Sequence, residues 1–203
     1  MRDWLSGAIS ATYIIVMTDA PFLSGQLLLS MPGIGDPRFE RVVIAMCLHD
    51  DDGALGLVVN RPLGDLGVRA LMQQLDIDPG ETPEEALVLQ GGPVEPARGF
   101  VLHSADYEGQ GTISVGGQWG LTSTLDVLRD IAAGKGPRQW LAALGYTGWG
   151  PGQLDGEMTR HGWMAAPGDP ALLFDVPLDK RWPAAWRGLG IDAGHLSATA
   201  GRA

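Results

Sequence analysis

The chain has 203 residues, 45% hydrophobic and 19% charged; that balance excludes a disordered polymer or a coiled coil and suits one domain with a sizeable core. Asp and Glu number 24 against 14 Lys and Arg, a net charge of -10, which speaks against holding nucleic-acid phosphates through the overall field. Glycine is in excess at 30 residues, about twice the usual share, without the three-residue period of collagen.

Residues 1–20 read as an N-terminal extension and 21–203 as the domain. Asp3 follows Arg2 at once, so no positive n-region opens the chain, and Ile14 to Met17 is too short an apolar run for a membrane span. The expectation is a cytoplasmic protein with no membrane association. Cys47, the single cysteine, excludes an intrachain disulfide.

Gln26 to Ser30 predicts a strand. Val42 to Leu48 and Ala54 to Val59 are apolar runs around Asp50-Asp51-Asp52-Gly53, the strongest hairpin signal in the chain. Both runs are apolar on both faces, so the hairpin belongs centrally, covered on each side. Val68, Leu71, Met72 and Leu75 are spaced three and four apart and predict a helix over 67–75. Asp78 to Glu85 reads as a loop. Leu87 to Leu89, Gly99 to His103 and Thr112 to Val115 read as short strands. Ser123 and Asp126 form a capping-box pattern for a helix running to Ala133 and stopping at Gly134. Pro137 suits the first turn of a helix through Leu144. Pro151 opens another, with Leu154 and Met158 on one face. Ala171 to Val176 reads as a strand, and Trp182, Trp186 and Leu189 predict a final helix from Asp179. Strands early and helices late argue for an α+β fold.

The chemical motifs fail on spacing. Gly134-Lys135 is followed by Gly136, and the upstream glycine position of a P-loop holds Arg129. Ser114 lacks the first glycine of a nucleophile elbow, because Thr112 stands there. An EF-hand aligned on Gly53 would need acids where Leu48 and Val59 stand. Cys47 and His49 alternate onto one strand face and invite a metal with Asp51, but a buried Cys47 and a capped His49 explain them more simply. No metal and no cofactor are therefore expected. Arg38 with Arg41, and Lys180 with Arg181, are basic pairs too small for a duplex binder, so direct DNA binding is doubtful.

Three segments place polar residues inside turn chemistry: Asn60-Arg61-Pro62; Gly91-Gly92-Pro93 with Arg98 and His103; and Trp149 to Gln153. On one reading, the glycines supply positive φ while Asn60 and Arg61 bond loop carbonyls. On the other, Asn60, Arg61, Gly91, Gly92, Arg98, His103, Trp149 and Gln153 converge as candidate ligand-binding residues.

These segments carry a resemblance. Met31-Pro32, Asp36-Pro37 with Phe39, His49, Gly53-Ala54 with Gly56, Val59-Asn60-Arg61-Pro62, Gly91-Gly92-Pro93, Arg98-Gly99-Phe100 and His103 resemble the AlgH/YqgE family. So do Ser123 with Asp126-Val127-Leu128, Gly145-Tyr146, Trp149, Gly152-Gln153-Leu154 with Glu157, Trp163, Leu173-Phe174, Arg181-Trp182 and Gly190-Ile191-Asp192. The likeness runs from about Gly25 to the C-terminus. It implies a single α+β domain with a strongly bent, partly barrel-like, mixed or antiparallel sheet and surrounding helices. It also implies a bacterial source and, through a link to control of alginate production, a transcriptional-regulator label. It implies no catalytic residue or cofactor. The expected function is a non-enzymatic regulatory or binding protein acting through contacts with an unknown protein partner. The alternative is a small-ligand or nucleotide-binding protein or enzyme with a pocket lined by Asn60, Arg61, Arg98, His103 and Gln153.

Overall fold

A computed structural model describes residues 22–160 and 162–196. The expectation for residues 1–20 lies outside the described residues. In chain order the strands are β1 (Leu27–Ser30), β2 (Val43–Asp50), β3 (Gly53–Val58), β4 (Pro62–Gly67), β5 (Leu87–Gln90), β6 (Val94–Ser104), β7 (Ile113–Val115), β8 (Trp119–Thr122), β9 (Trp140–Trp149) and β10 (Trp163–Ala166). The helices are α1 (Val68–Gln74), α2 (Leu125–Ala132), α3 (Gln153–Thr159), α4 (Pro170–Phe174) and α5 (Leu178–Gly188), with single 3-10 turns at Pro37–Phe39 and Ala193–His195.

The strands form one sheet in the order β10-β1-β2-β3-β9-β6-β8-β7, with β4 on β5 and β5 on β9. Every pair is antiparallel except β5 with β9, so the sheet is mixed. The β2–β3 hairpin turns at Gly53, whose φ is +139°. It lies centrally and is covered on both faces, as its unbroken apolar runs predict. Period-two alternation sorts its side chains. Val43, Ala45, Leu57 and Val59 face the core shared with Trp182 and Trp186 of α5. Ile44, Met46 and Val58 face Leu154 of α3, Trp149 and Trp163. A third core joins Val68 and Met72 of α1, Val127 and Ile131 of α2, and Val88, Val101 and Ala142 of the sheet.

β9 joins the two halves of the sheet. Its first part pairs with β6 on one side and β5 on the other, through Ala142, Ala143 and Leu144. Beyond Gly145, at φ +73°, Thr147 to Trp149 pair with β3. The helix expected over Pro137–Leu144 is therefore a strand. Its alanines and leucines suit a helix by propensity, but two flanking strands take up their backbone groups, and Ala142 and Ala143 fill cores on opposite faces.

Two other expectations are corrected. Ala171–Val176 is not a strand: Asp169 accepts from the backbone N–H groups of Ala171 and Leu172, and Pro170 stands in the first turn of α4. This is a helix start that the apolar run Ala171-Leu172-Leu173-Phe174 conceals. In α2 the N-cap is Thr124 rather than Ser123, and its side chain makes no capping bond. Its hydroxyl donates instead to the Gln110 carbonyl at 3.1 Å.

The Gly91-Gly92 pair is a packing necessity. The Gly91 N–H donates to Leu144 of β9 at 2.9 Å, and its carbonyl accepts from Val58 of β3 at 2.8 Å. A Cβ on Gly91 would lie 2.3 Å from the Gly145 carbonyl oxygen. Neither backbone can yield without breaking that stitch. Gly91→Ala is accordingly expected to cost about 3 kcal/mol, read as a lowered denaturation midpoint in urea.

Candidate functional site

The polar candidates of the sequence fall in different places. Asn60 is a clamp on the start of β2: its Oδ1 accepts from the Val43 N–H, and its Nδ2 donates to the Arg41 carbonyl, both at 2.9 Å. The Arg61 guanidinium donates to the carbonyls of Arg38 at 2.8 Å, Pro37 at 3.2 Å and Glu40 at 2.8 Å, and so holds the first 3-10 turn in place. Both therefore bond loop carbonyls, the first of the two readings above. They also line a shallow cleft with Trp182 and Pro183 of α5.

His103 is fully buried. Its Nδ1 lies 2.9 Å from the Ser104 carbonyl, which can only accept, so Nδ1 carries the proton. Its Nε2 then accepts from the Thr122 hydroxyl at 2.9 Å, Thr122 accepts from Thr112 at 2.7 Å, and Thr112 from the Gly109 N–H at 3.0 Å. This closed chain leaves no ring nitrogen for a ligand. Gly120 makes room for the ring, since a Cβ there would sit 2.2 Å from it. Arg98 is exposed, pairs with Glu95 at 3.2 Å and lies over the Phe100 ring at 5.2 Å.

Cys47 and His49 do not share a face. The β2–β3 register shifts between Met46 and Leu48. Cys47 stays in the α5-facing core, while His49 Nδ1 accepts from the Leu23 N–H at 3.0 Å beside α3. The bulge inverts the alternation that the spacing implied. Burial pushes the Cys47 thiol up to about 12, so it is an inert packing group.

Trp149 and Gln153 do come together. They line a cleft of about 470 Å³ between the first 3-10 turn, the end of β9, α3 and β10. Phe39, Trp149 and Trp163 supply aromatic walls. Phe39 and Trp163 meet edge to face at 5.4 Å, and Trp163 and Trp149 at 6.2 Å. Glu157 organises this wall. One carboxylate oxygen accepts from the indole N–H groups of Trp149 at 2.9 Å and Trp163 at 3.0 Å; the other accepts from Gln153 Nε2 at 2.9 Å. Gln153 Oε1 in turn accepts from the Gly150 N–H at 3.1 Å. Burial raises the Glu157 pKa, but those three donors and the nearby Arg160 charge outweigh it and hold the acid below its ordinary 4.5. Arg38 and Arg160 line the same cleft as exposed guanidinium groups, Arg38 paired with Asp36 at 2.7 Å.

A single pocket lined by Asn60, Arg61, Arg98, His103 and Gln153 does not match this geometry. Gln153 lies in the aromatic cleft, Asn60 and Arg61 line the one beside α5, and His103 is sealed in its own network. Sequence reasoning missed Glu157 as the cleft's organising acid. Its signal was weak but present: position 157 lies four beyond Gln153, one helical turn, where a carboxylate can take that amide and reach the flanking tryptophans.

Fold and cleft together define an α+β protein with a curled, mixed half-barrel sheet and an aromatic, arginine-rimmed surface cleft. A family model described as AlgH-like (DUF179) matches residues 27–194, and the chain belongs to that family. A UPF0301 protein of Rhizorhabdus wittichii is 59% identical over 186 residues, covering 91% of this chain and 100% of the relative. A UPF0301 protein of Novosphingobium aromaticivorans is 52% identical, covering 92% and 100%. Among solved structures, the solution structure of AlgH from Pseudomonas aeruginosa superimposes with a TM-score of 0.73 at 39% identity, over 92% of this chain and 98% of that one. A crystal structure of a Corynebacterium diphtheriae protein shares the fold at 18% identity, with a TM-score of 0.67 over 83% and 87%. No described helix is long and apolar enough to cross a membrane.

Two measurements check the electrostatics. Glu157→Gln presents an amide N–H₂ where carboxylate oxygens now accept, and is expected to cost about 2 kcal/mol at neutral pH by chemical denaturation. The native acid sits below 4.5, so its contribution is complete above that pH and is lost as pH falls through the folded value; the variant should show a flatter acid limb. His103 is held below its ordinary 6.5, chiefly by burial, against the opposing effects of the Ser104 carbonyl and Asp106. The unfolded chain therefore takes up the proton first, and stability should decline as pH drops from 6.5 toward the folded value. His103→Gln should remove that slope from a stability-versus-pH series.

Proposed function

We propose that the protein is a non-enzymatic regulatory or binding protein that works through protein contacts, with the aromatic cleft as its contact surface. The supporting observation is what Glu157 does. The cleft's half-buried acid accepts from two tryptophans and a glutamine and sits low, so it is built to stiffen an aromatic wall rather than to exchange a proton at neutral pH. Aromatic walls edged by arginines are the usual composition of a protein-binding hot spot. An acidic side chain on an extended partner segment would meet Arg160 while its apolar neighbours lay on Trp149, Trp163 and Phe39.

Direct DNA binding fits poorly. Besides the net charge of -10, Arg38, Arg98, Arg129, Arg138 and Lys180 each pair with an acid, which leaves little basic surface for phosphates. The ligand-binding alternative keeps only Gln153 of its five residues in this cleft.

A photo-crosslinking residue at position 160, introduced in the native host, is expected to trap one discrete partner protein. The same residue at position 108, on an exposed loop outside the cleft, should trap none. Arg38→Glu with Arg160→Glu should lower recovery of that partner by about tenfold. Equal products from both positions, or no product at 160, would refute the reading, as would sequence-specific nanomolar binding to duplex DNA at physiological salt.

A further inference from the structure

A second cleft, of about 520 Å³, opens between β5, the start of β9 and the α4–α5 junction, and Arg181 lines it. Arg181 is only 3% exposed. Its Nε donates to the Val176 carbonyl at 2.9 Å and its Nη1 to the Val59 carbonyl. A guanidinium has five N–H groups. Two meet these backbone oxygens, and no carboxylate among the described residues lies within 4.0 Å of it. Burial lowers the group to about 10, so it remains a cation at neutral pH. A buried cation with neutral partners alone is costly, and a fold retains one most readily where an anion completes it.

The lining indicates which anion. Leu87, Leu89, Leu141, Phe174 and Leu178 form apolar walls, wide enough for a short hydrocarbon body. Glu85 and Asp175 also line the cleft, and the third charge there beside Arg181, Arg138, is already paired with Asp106 at 3.0 Å. Both acids are exposed, and they oppose a dianion about twice as strongly as a single negative charge, so the anion that suits Arg181 is a monoanion. The planar fork of the guanidinium suits a carboxylate held by two parallel hydrogen bonds. We propose that this cleft binds a small monocarboxylate with an apolar body, its carboxylate paired with Arg181 and its chain lying along β5 and α4. The site is separate from the aromatic cleft, and the two proposals stand or fall independently.

Octanoate, octan-1-ol and octyl phosphate, titrated into the full chain and followed by amide chemical shifts and calorimetry, test it. Octanoate should saturate, with shifts confined to residues 87–89, 141–142 and 174–181. The alcohol and the phosphate should each bind at least about tenfold more weakly. Arg181→Met should weaken octanoate about tenfold or more. Because that change also removes two hydrogen bonds anchoring α5, Leu87→Glu provides a second test. It adds a carboxylate at the mouth of the cleft with Arg181 and its bonds untouched, and should also weaken octanoate about tenfold with the amide spectrum otherwise preserved. Arg38→Glu with Arg160→Glu should leave octanoate binding unchanged. Equal affinity for the alcohol, affinity for the phosphate at or above that for octanoate, shifts centred on Trp149 and Trp163, or no saturation by ~10 mM would each overturn the proposal.

Discussion

Strand β9 serves both halves of the sheet, and its crossing at Gly145 sets how closely they can approach. Gly91, Gly92 and Gly145 meet backbone to backbone there. A Cβ on Gly145 would lie 2.4 Å from the Gly92 carbonyl oxygen, and one on Gly92 2.2 Å from the Tyr146 carbonyl carbon. Without side chains in the way, Val58 of β3 and Leu144 of β9 both bond to Gly91, and Thr147 donates its hydroxyl to Gly56 at 2.8 Å. The sheet can therefore curl without a gap at its centre, and the three hydrophobic cores remain in register on its faces. The aromatic cleft begins where β9 emerges from this crossing, at Thr147, Gly148 and Trp149.

Sequence signals were strong where local and global requirements coincide. The central hairpin combines an Asp-Gly turn with two apolar runs, and α3 and α5 show apolar spacing that their burial reproduces. They failed where long-range pairing decides. Leu141 to Leu144 have no local reason to be extended; β5 and β6, roughly 55 and 40 residues earlier in the chain, supply it. α4 was lost for the opposite reason, since five apolar residues carry too little periodicity and only the Asp169-Pro170 start marks it.

The same distinction governs the candidate site. Glycine pairs and polar residues in turns looked like pocket chemistry because both uses need the same residue types. Gly91 and Gly92 answer to backbone proximity, and His103 to a buried chain of hydroxyls. Neither requirement is written in neighbouring residues. Glu157 went unselected because its importance comes from two tryptophans on different strands, Trp149 at the end of β9 and Trp163 at the start of β10, which only the fold brings to one oxygen.

The segment Val59-Asn60-Arg61 ties these parts together. The Val59 carbonyl accepts from Arg181 of α5, Asn60 fastens the start of β2, and Arg61 gathers three carbonyls around the turn that presents Arg38 and Phe39. Arg61 thus supports the wall of the aromatic cleft, and the Val59 carbonyl holds the guanidinium of the second cleft. Because consecutive residues of the β3–β4 connection bear both attachments, a shift of Arg181 toward an anion would pull on the Val59 carbonyl, next to the residues that set the position of Arg38. The two clefts are therefore mechanically adjacent although they share no lining residue. Any coupling between them would run through these backbone oxygens rather than through the hydrophobic cores.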